Sequence, residues 1–450
     1  MIARPLFSKL SGLLLGLLIF NECGNAAEDR VEKIELTIQI QPAPPAAEPS
    51  SFEEVTAKLD KGGLLYLYLS TEQWLAGLSS YIGSFRDAML PAAGLGNAKK
   101  EKALRAFDTV TGLIKKSGLE EISGVGASSV AIEPGLYRNK FFAHHGKGTG
   151  FLWSAFGAPS HRWTALDFLP ADTALASFSD LDLPQLIGIA TQAIEQSGNR
   201  AAKKGLDAVL LQFAAMTGMQ LNDAIESFGG SVGIVLTLDP ANSVRVPING
   251  KEEAIPVPRI ALFLKVKDDR IFNQIDKITG VNPFVMRVDE PELKMRTVPM
   301  PILPQFTARA TAAMWDGYLI LASDDKLVRD FVATRKEGRG LKATPEWIKL
   351  AAGLPEEGDG FHFVSQRFAE VSNRLQAGLM KTRPGDLMMQ KLLDGQKTGA
   401  SFTVSAHLDN GWLAVGNGTL SGPQIIRQML MAPAIIAAGL FQPVEVIILP

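Results

Sequence analysis

The chain has almost no cysteine: Cys23 is the only one in 450 residues. It lies within the segment that we expect to be removed on export, so the mature chain would contain none. The charged Glu22 directly before it argues against lipid attachment at this position. A mature chain without cysteine has no disulfide, no thiol nucleophile and no cysteine-ligated metal. An exported protein of this kind relies on its core for stability, which is more typical of a bacterial envelope than of a disulfide-rich secreted class.

The chain also lacks an excess of charge of either sign. Lys and Arg number 45 against 47 Asp and Glu, which leaves a formal net charge of −2. General nucleic-acid binders carry a basic field, so this balance argues against nucleic acid as a partner. The apolar share of 46% and the charged share of 20% are those of a globular protein. Its length is sufficient for two or three domains.

The N-terminal apolar run is too short to span a bilayer comfortably. It covers residues 10–20 and follows the positive residues Arg4 and Lys9. Small residues then occur at Gly24 and Ala26, the two positions that a signal peptidase reads. We therefore expect a signal peptide over 1–26, with cleavage after residue 26 or 27 and a periplasmic or other extracytoplasmic location. The alternative is a retained membrane anchor.

Histidines in metal-binding spacing are missing. His144 and His145 form the only pair, and neighbours in a strand point to opposite faces, so they cannot share a metal without a bulge. His161, His362 and His407 are isolated in the sequence, and no H-E-x-x-H motif occurs. We therefore expect no metal residue and interpret all five histidines as structural.

Motifs for nucleophiles and phosphate binding are missing as well. Gly146–Gly150 lacks the spacing of a phosphate loop, and the following FLWSAFG (151–157) is expected to be a strand. Gly124–Gly126 is also followed by a strand-like segment, which excludes a dinucleotide fingerprint. No G-x-S-x-G elbow occurs, and Lys116-Ser117 does not match S-x-x-K. The sequence thus predicts no catalytic, cofactor-binding or metal residue and no cofactor, although a site assembled from distant residues stays open.

One local pattern recurs along the chain: a short apolar strand, a capping residue, then an amphipathic helix. Examples begin at the strands LLYLYLS (64–70), TALASFS (173–179), RIALFLKV (259–266), YLILA (318–322) and FHFV (361–364). The first is followed by a helix whose predicted core face carries Trp74, Leu78, Ile82, Phe85 and Met89. A second helix, 201–217, carries Leu206, Val209, Phe213 and Met216 on one face. Trp347 is also predicted to lie in the core. Basic pairs such as Lys115-Lys116 are expected at solvated helix ends.

A larger repeat is also predicted. Residues 173–279 and 360–440 both have the order strand, helix, helix, strand, strand, helix, and the second helix of the later copy is expected at 384–393. Alternating apolar residues in the strands favour an antiparallel sheet. We therefore predict an α+β fold of repeated β-α-α-β-β-α units, with largely antiparallel sheets and helices packed on one face. The alternative is that any α+β protein shows strands followed by helices.

These patterns divide the chain into consecutive segments. We expect a signal peptide at 1–26 and then an N-terminal extension at 27–51, which contains a strand at 33–40 and a Pro/Ala-rich linker. A first α+β unit at 52–160 and a second at 161–283 follow. The rest is a β-rich insertion with a closing helix at 284–340 and a last α+β unit with an apolar C-terminal segment at 341–450.

The C-terminal segment 425–450 is almost uncharged, with only Arg427 and Glu445. Pro433 kinks or ends a helix that starts near residue 425. We expect a docked first half and a looser stretch after Pro433. Peripheral contact with a membrane or docking of a partner is the alternative.

Four segments resemble an uncharacterised family of exported bacterial envelope proteins that carry a domain of unknown function. They are LPADTALASFSDLDLPQLI (169–187), SFGGSVGIVLTLDP (227–240), RIALFLKVKDDRIFNQI (259–275) and DGYLILASDDKLVRDFV (316–332). The resemblance covers about residues 60–420, and its motifs are caps, turns and strand cores. It implies an envelope location and an α+β fold, and it supplies no catalytic residue.

The leading functional hypothesis is a non-enzymatic envelope protein that binds or scaffolds an unknown protein partner. The first alternative is a carrier or sensor of an apolar ligand in a lining between helices and sheet. The second is an envelope-polymer hydrolase, which needs a cleft with close carboxylates. A flat, exposed apolar patch would favour the scaffold.

Overall fold

The computed structural model describes residues 49–92, 96–146, 148–157, 159–248, 251–303, 306–381 and 397–429. The expected signal peptide with Cys23, the strand at 33–40, the helix at 384–393 and the C-terminal stretch that contains Pro433 all lie outside the described residues, as does most of the linker.

The strands, in chain order, are β1 (Leu65–Ser70), β2 (Ile122–Glu133), β3 (Leu136–His145), β4 (His161–Arg162), β5 (Thr173–Asp180), β6 (Phe228–Ile248), β7 (Lys251–Val266), β8 (Met286–Asp289), β9 (Leu293–Leu303), β10 (Phe306–Trp315), β11 (Tyr318–Ala322), β12 (Glu357–Gly358), β13 (Gly360–Val364), β14 (Ser401–Leu408) and β15 (Gly411–Gly418).

The α-helices are α1 (Ser51–Ala57), α2 (Leu78–Ala92), α3 (Asn97–Ser117), α4 (Phe151–Ser154), α5 (Leu183–Gln196), α6 (Arg200–Thr217), α7 (Leu221–Ser227), α8 (Arg270–Thr279), α9 (Asp325–Glu337), α10 (Pro345–Ala351) and α11 (Gln366–Lys381). Residues 422–429 are also helical. Short 3-10 helices cover Leu119–Glu121, Thr164–Asp167 and Leu341–Ala343.

Among the described residues, a single antiparallel sheet of 13 strands runs through all the predicted α+β units. Its order is β1-β2-β3-β15-β14-β13-β5-β6-β7-β11-β10-β9-β8, and β4 and β12 form a separate two-stranded sheet. The α+β class and the antiparallel pairing are therefore confirmed. The strands of the last unit are inserted between β3 and β5, so they join the N-terminal strands to the rest of the sheet.

Most of the buried core lies on one face of this sheet, which we call the core face. It carries Val235, Ala261 and Ile320, all with no exposed surface, together with a group of aromatic rings. The helix α9 covers this face with its fully buried Leu327, Val328 and Phe331, and Asp324 caps its first turn. Next to it, α10 is capped by Thr344 and buries the predicted core residue Trp347.

Helices also lie on the opposite face, which differs from the one-sided arrangement that we expected. There α8 packs Phe272 against Leu264 and Leu319, and α11 packs Val371 against Leu238. The reason is that Leu264, Leu319 and Leu238 alternate with the core-face residues, so these strands are apolar on both faces and need cover on both.

A buried cation fixes α9 to the sheet. Arg259 on β7 has a side chain only 11% exposed, and it donates to Asp330 of α9 at 2.7 Å and to Asp172 at 2.9 Å. Its Nε donates to Thr237 on β6. Because the guanidinium group satisfies two carboxylates at once, the charge is buried with its partners in place.

Two predicted core faces are exposed instead. Phe85 and Met89 of α2 are 55% and 51% exposed, and Val209 and Met216 of α6 are 62% and 68% exposed. Trp74, before α2, is 39% exposed. These helices pack mainly on neighbouring helices, α2 on α3 and α6 on α5 and α7. A periodic apolar face predicts a helix, but the position of the helix decides whether that face is covered.

The segment expected as a strand at 151–157 begins with the short helix α4. Here Gly150 lies so close to Gly118 that a Cβ on it would come within 2.1 Å of the Gly118 backbone. The Trp153 indole lies against the His145 ring, with centroids 4.2 Å apart. This close packing bends the chain away from the extended form.

Strand order is the same in the two segments of the predicted repeat: β5-β6-β7 and β13-β14-β15 are each consecutive neighbours. The counterpart of α6 in the later segment lies outside the described residues, so the repeat itself stays a prediction. Among the described helices, none combines the length and the hydropathy that are needed to cross a bilayer.

Candidate functional site

Three large apolar side chains lie next to one another on the face opposite the core, which we call the open face. Ile234 on β6 is paired with Leu262 on β7, and Leu262 is paired with Leu321 on β11. Their exposed fractions are 38%, 45% and 38%. Directly paired residues on one face lie about 5 Å apart. These residues, which we call the apolar row, therefore form a continuous surface, and Ile260, 39% exposed, borders it.

Two of the helices on the open face, α8 and α11, border the apolar row at either end. Along β6, Leu238 and Leu236 pack with α11, whereas Leu264, the β7 partner of Val232, packs with α8. The strip of sheet between α8 and α11, which we call the groove, contains the apolar row.

The surroundings of the apolar row are polar but weakly charged. Next to Ile234 across the sheet lies Ser177 of β5, then His362 of β13 and Thr403 of β14. On the other side Ala312 of β10 is paired with Leu321. No charged side chain interrupts the floor at these positions, so the groove suits an uncharged, apolar occupant.

A second cluster contains titratable groups that looked isolated in the sequence. His161 Nε2 lies 2.9 Å from Asp180 Oδ2, and His407 Nδ1 is hydrogen-bonded to Asp359 Oδ2. The Asp180 backbone N–H donates to the Asp359 carbonyl, so the two dyads adjoin. Nothing in the sequence pattern indicates Asp359, because its partners are distant along the chain.

The carboxylates of these dyads are engaged in holding the fold together. Asp359 is 1% exposed and accepts hydrogen bonds from the Ser405 hydroxyl and from the backbone N–H of His407. Its carboxylate is also hydrogen-bonded to the His407 ring. These bonds attach the start of β13 to β14. Burial raises the pKa of Asp180 above its usual value; the charge of Asp359 adds to this, and His161 opposes it. The cluster is thus a polar joint between strands rather than an open cleft with free carboxylates.

The His144-His145 pair is divided between two environments, as the strand pattern predicts. His144 Nδ1 lies 2.6 Å from the Ser123 hydroxyl, whereas the ring of His145 is 3% exposed and packs on Trp153. Burial lowers the pKa of both imidazoles. Within the described part of the chain, no group of three His, Cys, Asp or Glu residues is arranged to hold a metal ion.

One cavity of about 180 Å³ lies on the open face beside the helix 422–429. Its lining includes Asn139, Gly416, Thr403 and Ile425, and the amide oxygen of Asn139 is buried there without a hydrogen-bond partner. Pockets for drug-sized ligands usually measure 300–1,000 Å³. This cavity is therefore suited to a few waters rather than to a large apolar ligand.

Comparison with known proteins gives no match among family models, curated proteins or solved structures. The candidate site therefore has to be judged by its own chemistry. Within the described part of the sheet, the apolar row is a set of large aliphatic side chains on neighbouring strands that stay partly exposed.

Proposed function

We propose that this protein is a non-enzymatic binding protein of the cell envelope that holds an apolar segment of a partner protein in the groove. The apolar row of Ile234, Leu262 and Leu321 carries this proposal, because the sheet buries the other side of the same strands completely. Clusters of exposed aliphatic residues with a polar border are characteristic of interaction surfaces. The envelope location follows from the expected signal peptide.

We expect the bound segment to be a helix, which is about 10–12 Å wide with its side chains. An amphipathic helix that places its apolar face in a hydrophobic groove is a common mode of recognition. We therefore expect a partner segment with apolar residues at helical spacing and little charge on the bound face.

The exposed area sets the expected strength of the complex. Complete burial of an aliphatic side chain is worth about 1.5–3 kcal/mol, so the remaining exposure of each groove residue accounts for about 1 kcal/mol. The apolar row with Ile260 then contributes about 4 kcal/mol, and an equal area on the partner doubles this to about 8 kcal/mol. Association costs of about 4 kcal/mol or more leave at most about 4 kcal/mol, so these contacts alone support a weak, millimolar complex that is readily reversible.

The two alternatives receive less support from the geometry. The carrier needs a cavity larger than the one beside Asn139. The hydrolase needs carboxylates that are free to act on a substrate, whereas Asp359 is fully engaged within the fold.

Site-specific crosslinking in the producing cell tests the proposal. A photoreactive phenylalanine analogue is placed at Leu262 and, as a control, at Ile348, an exposed aliphatic residue of α10 outside the groove. We expect an adduct with another protein at Leu262 only, whose crosslinked peptide, identified by mass spectrometry, is an apolar segment. Ile234→Lys should abolish this adduct. Equal yields at both positions, or no adduct with another protein at Leu262, would show that the proposed function is wrong.

A further inference from the structure

We propose that the outer surface of α2, α3 and α6 contacts a lipid bilayer that contains anionic phospholipid. We call this surface the helical layer. It does not include the apolar row, so the inference goes beyond the proposed function and does not depend on it. Exposed apolar side chains on α2 and α6, and an excess of positive charge on α3 and α6, support the inference.

The helices of this layer are joined side by side through α5. α2 packs on α3, α3 packs on α5, and α5 packs on α6. The Lys116 ammonium group of α3 donates to the Gln192 side chain of α5 at 3.3 Å. Gly198, in the turn between α5 and α6, lies against the side chain of Arg105 on α3. The apolar and the basic residues of these helices therefore belong to one part of the surface.

Outward-facing side chains of α2 form an apolar stripe. Tyr81, Phe85 and Met89 lie four residues apart, on one side of the helix, and each is more than 50% exposed. The helices that cover the core face differ in this respect. Among the described side chains of α9 and α10, only Ile348 is both large and apolar and exposed. The stripe on α2 therefore indicates a contact surface rather than the ordinary surface of a helix in this protein.

α6 combines exposed apolar and exposed basic side chains. Val209, Leu211 and Met216 are 62%, 72% and 68% exposed. Lys203 and Lys204, in the preceding turns, are exposed as well. Helices that lie in the plane of a membrane interface carry apolar side chains on one side and Lys or Arg beside them. The outer side of α6 has this pattern.

The positive charge is concentrated on two of these helices. α3 and α6 contain nine Lys and Arg against three Asp and Glu, although the net charge of the whole chain is −2. Lys100, Lys102, Lys115 and Lys116 are all exposed on α3. Each Lys or Arg near the surface of an anionic bilayer strengthens the binding.

An anionic bilayer is the occupant that matches both features. Its acyl boundary accepts aliphatic and aromatic side chains, and its headgroups attract Lys and Arg. A second copy of the chain, packed through the same surface, would instead bring the like charges of two α3 helices and two α6 helices together. The helical layer is therefore suited to anionic lipid rather than to self-association.

Vesicle flotation tests the binding and its dependence on charge. The chain from residue 27 onwards is mixed with vesicles of phosphatidylcholine, with or without the anionic lipid phosphatidylglycerol. We expect binding only when the anionic lipid is present, and Lys203→Glu with Lys204→Glu should weaken it about ten-fold or more. Lys336→Glu with Arg339→Glu makes the same change of charge at exposed positions near the end of α9 and is the matched control. It should bind like the wild type.

An environment-sensitive fluorophore shows which surface enters the membrane. The chain from residue 27 onwards has no natural cysteine, so the label can be attached to Phe85→Cys or to Leu211→Cys. Ile348→Cys, at a position 61% exposed on α10, is the control. We expect a blue shift of the emission at positions 85 and 211 on anionic vesicles, and no change at position 348.

Three results would overturn the inference. The first is the absence of the blue shift at either labelled position of the helical layer, which would place any membrane contact elsewhere in the chain. The second is equal binding to vesicles with and without the anionic lipid. The third is unchanged binding by the folded Lys203→Glu, Lys204→Glu variant.

Discussion

Single residues show how burial, rather than sequence context, sets the chemistry of this protein. His161 and His407 are isolated in the sequence, yet each is hydrogen-bonded to an aspartate that comes from another part of the chain. The sequence was sufficient to predict that His144 and His145 point to opposite faces of a strand, because alternation along a strand is a local property. The aspartate partners depend on how strands distant in sequence pair, which local patterns do not specify.

We predict that stability falls as the pH is lowered from about 7.5 to about 5.5, across the ordinary histidine range. Burial lowers the pKa of His144 and His145 below the ordinary value of 6.5. Above that value both rings are neutral in the folded and unfolded chain, but below it the unfolded chain binds more protons, so the free energy of unfolding decreases. The loss is about 1.4 kcal/mol for each unit by which a pKa is lowered, reached as the pH falls through the folded value.

Urea unfolding at the two pH values measures this effect. Burial lowers the pKa of His362 as well, and His145→Gln removes one of these three groups, so the stability of the variant should depend less on pH than that of the wild type. Asp180 acts in the opposite sense: its pKa is raised, so its contribution is present at low pH and is lost as the pH rises through the raised value. A pH dependence that is unchanged in His145→Gln would contradict the prediction.

Among the elements, those with local capping and turn chemistry were the most predictable. The Asp316-Gly317 pair is of the type that favours a two-residue hairpin turn, and β10 and β11 meet there, with φ of +51° and +72° at the two turn residues. Positive φ at both central residues matches the twist of the flanking strands. By contrast, the helical pattern of α2 and α6 predicted their existence but not their exposure, because burial depends on which other elements lie beside them.

A matched pair of glycine substitutions tests this turn. Gly317→Ala should destabilise the protein by about 1 kcal/mol or more, since φ is positive and the new Cβ would lie 2.9 Å from Lys265 Nζ. Gly188→Ala is the control: this residue lies inside α5 with no atom within 4 Å of a new Cβ, so it should stabilise by about 0.5–1 kcal/mol. Thermal denaturation of both variants measures the shifts. A neutral or stabilising Gly317→Ala would show that the turn tolerates a side chain.

For the whole molecule, the central position of β13, β14 and β15 has the largest consequence. These strands connect β3 to β5, although they come last in the chain. A chain that ends after Gly340 lacks them, which leaves two long strands with unpaired edges and removes part of the aromatic core.

We therefore expect the chain ending at Gly340 to lose its cooperative thermal transition. The chain ending after Met429 keeps all the described strands and should retain that transition, which makes it the matched control. Circular dichroism during heating measures both. A cooperative transition in the shorter chain, close to that of the full protein, would show that the N-terminal and C-terminal parts of the sheet fold independently.

The sequence by itself determined the α+β class, the antiparallel strands, the helix caps and the hairpin turns, because these depend on residues within a few positions of one another. Only the tertiary structure decided that the predicted units share one sheet, that helices cover both of its faces, and that Asp359 joins His407. It also decided which apolar face stays open. An apolar residue on a strand is suited to burial on either side. Whether Leu262 or Leu264 of β7 is covered depends on which element packs over it, and local periodicity does not contain this long-range property.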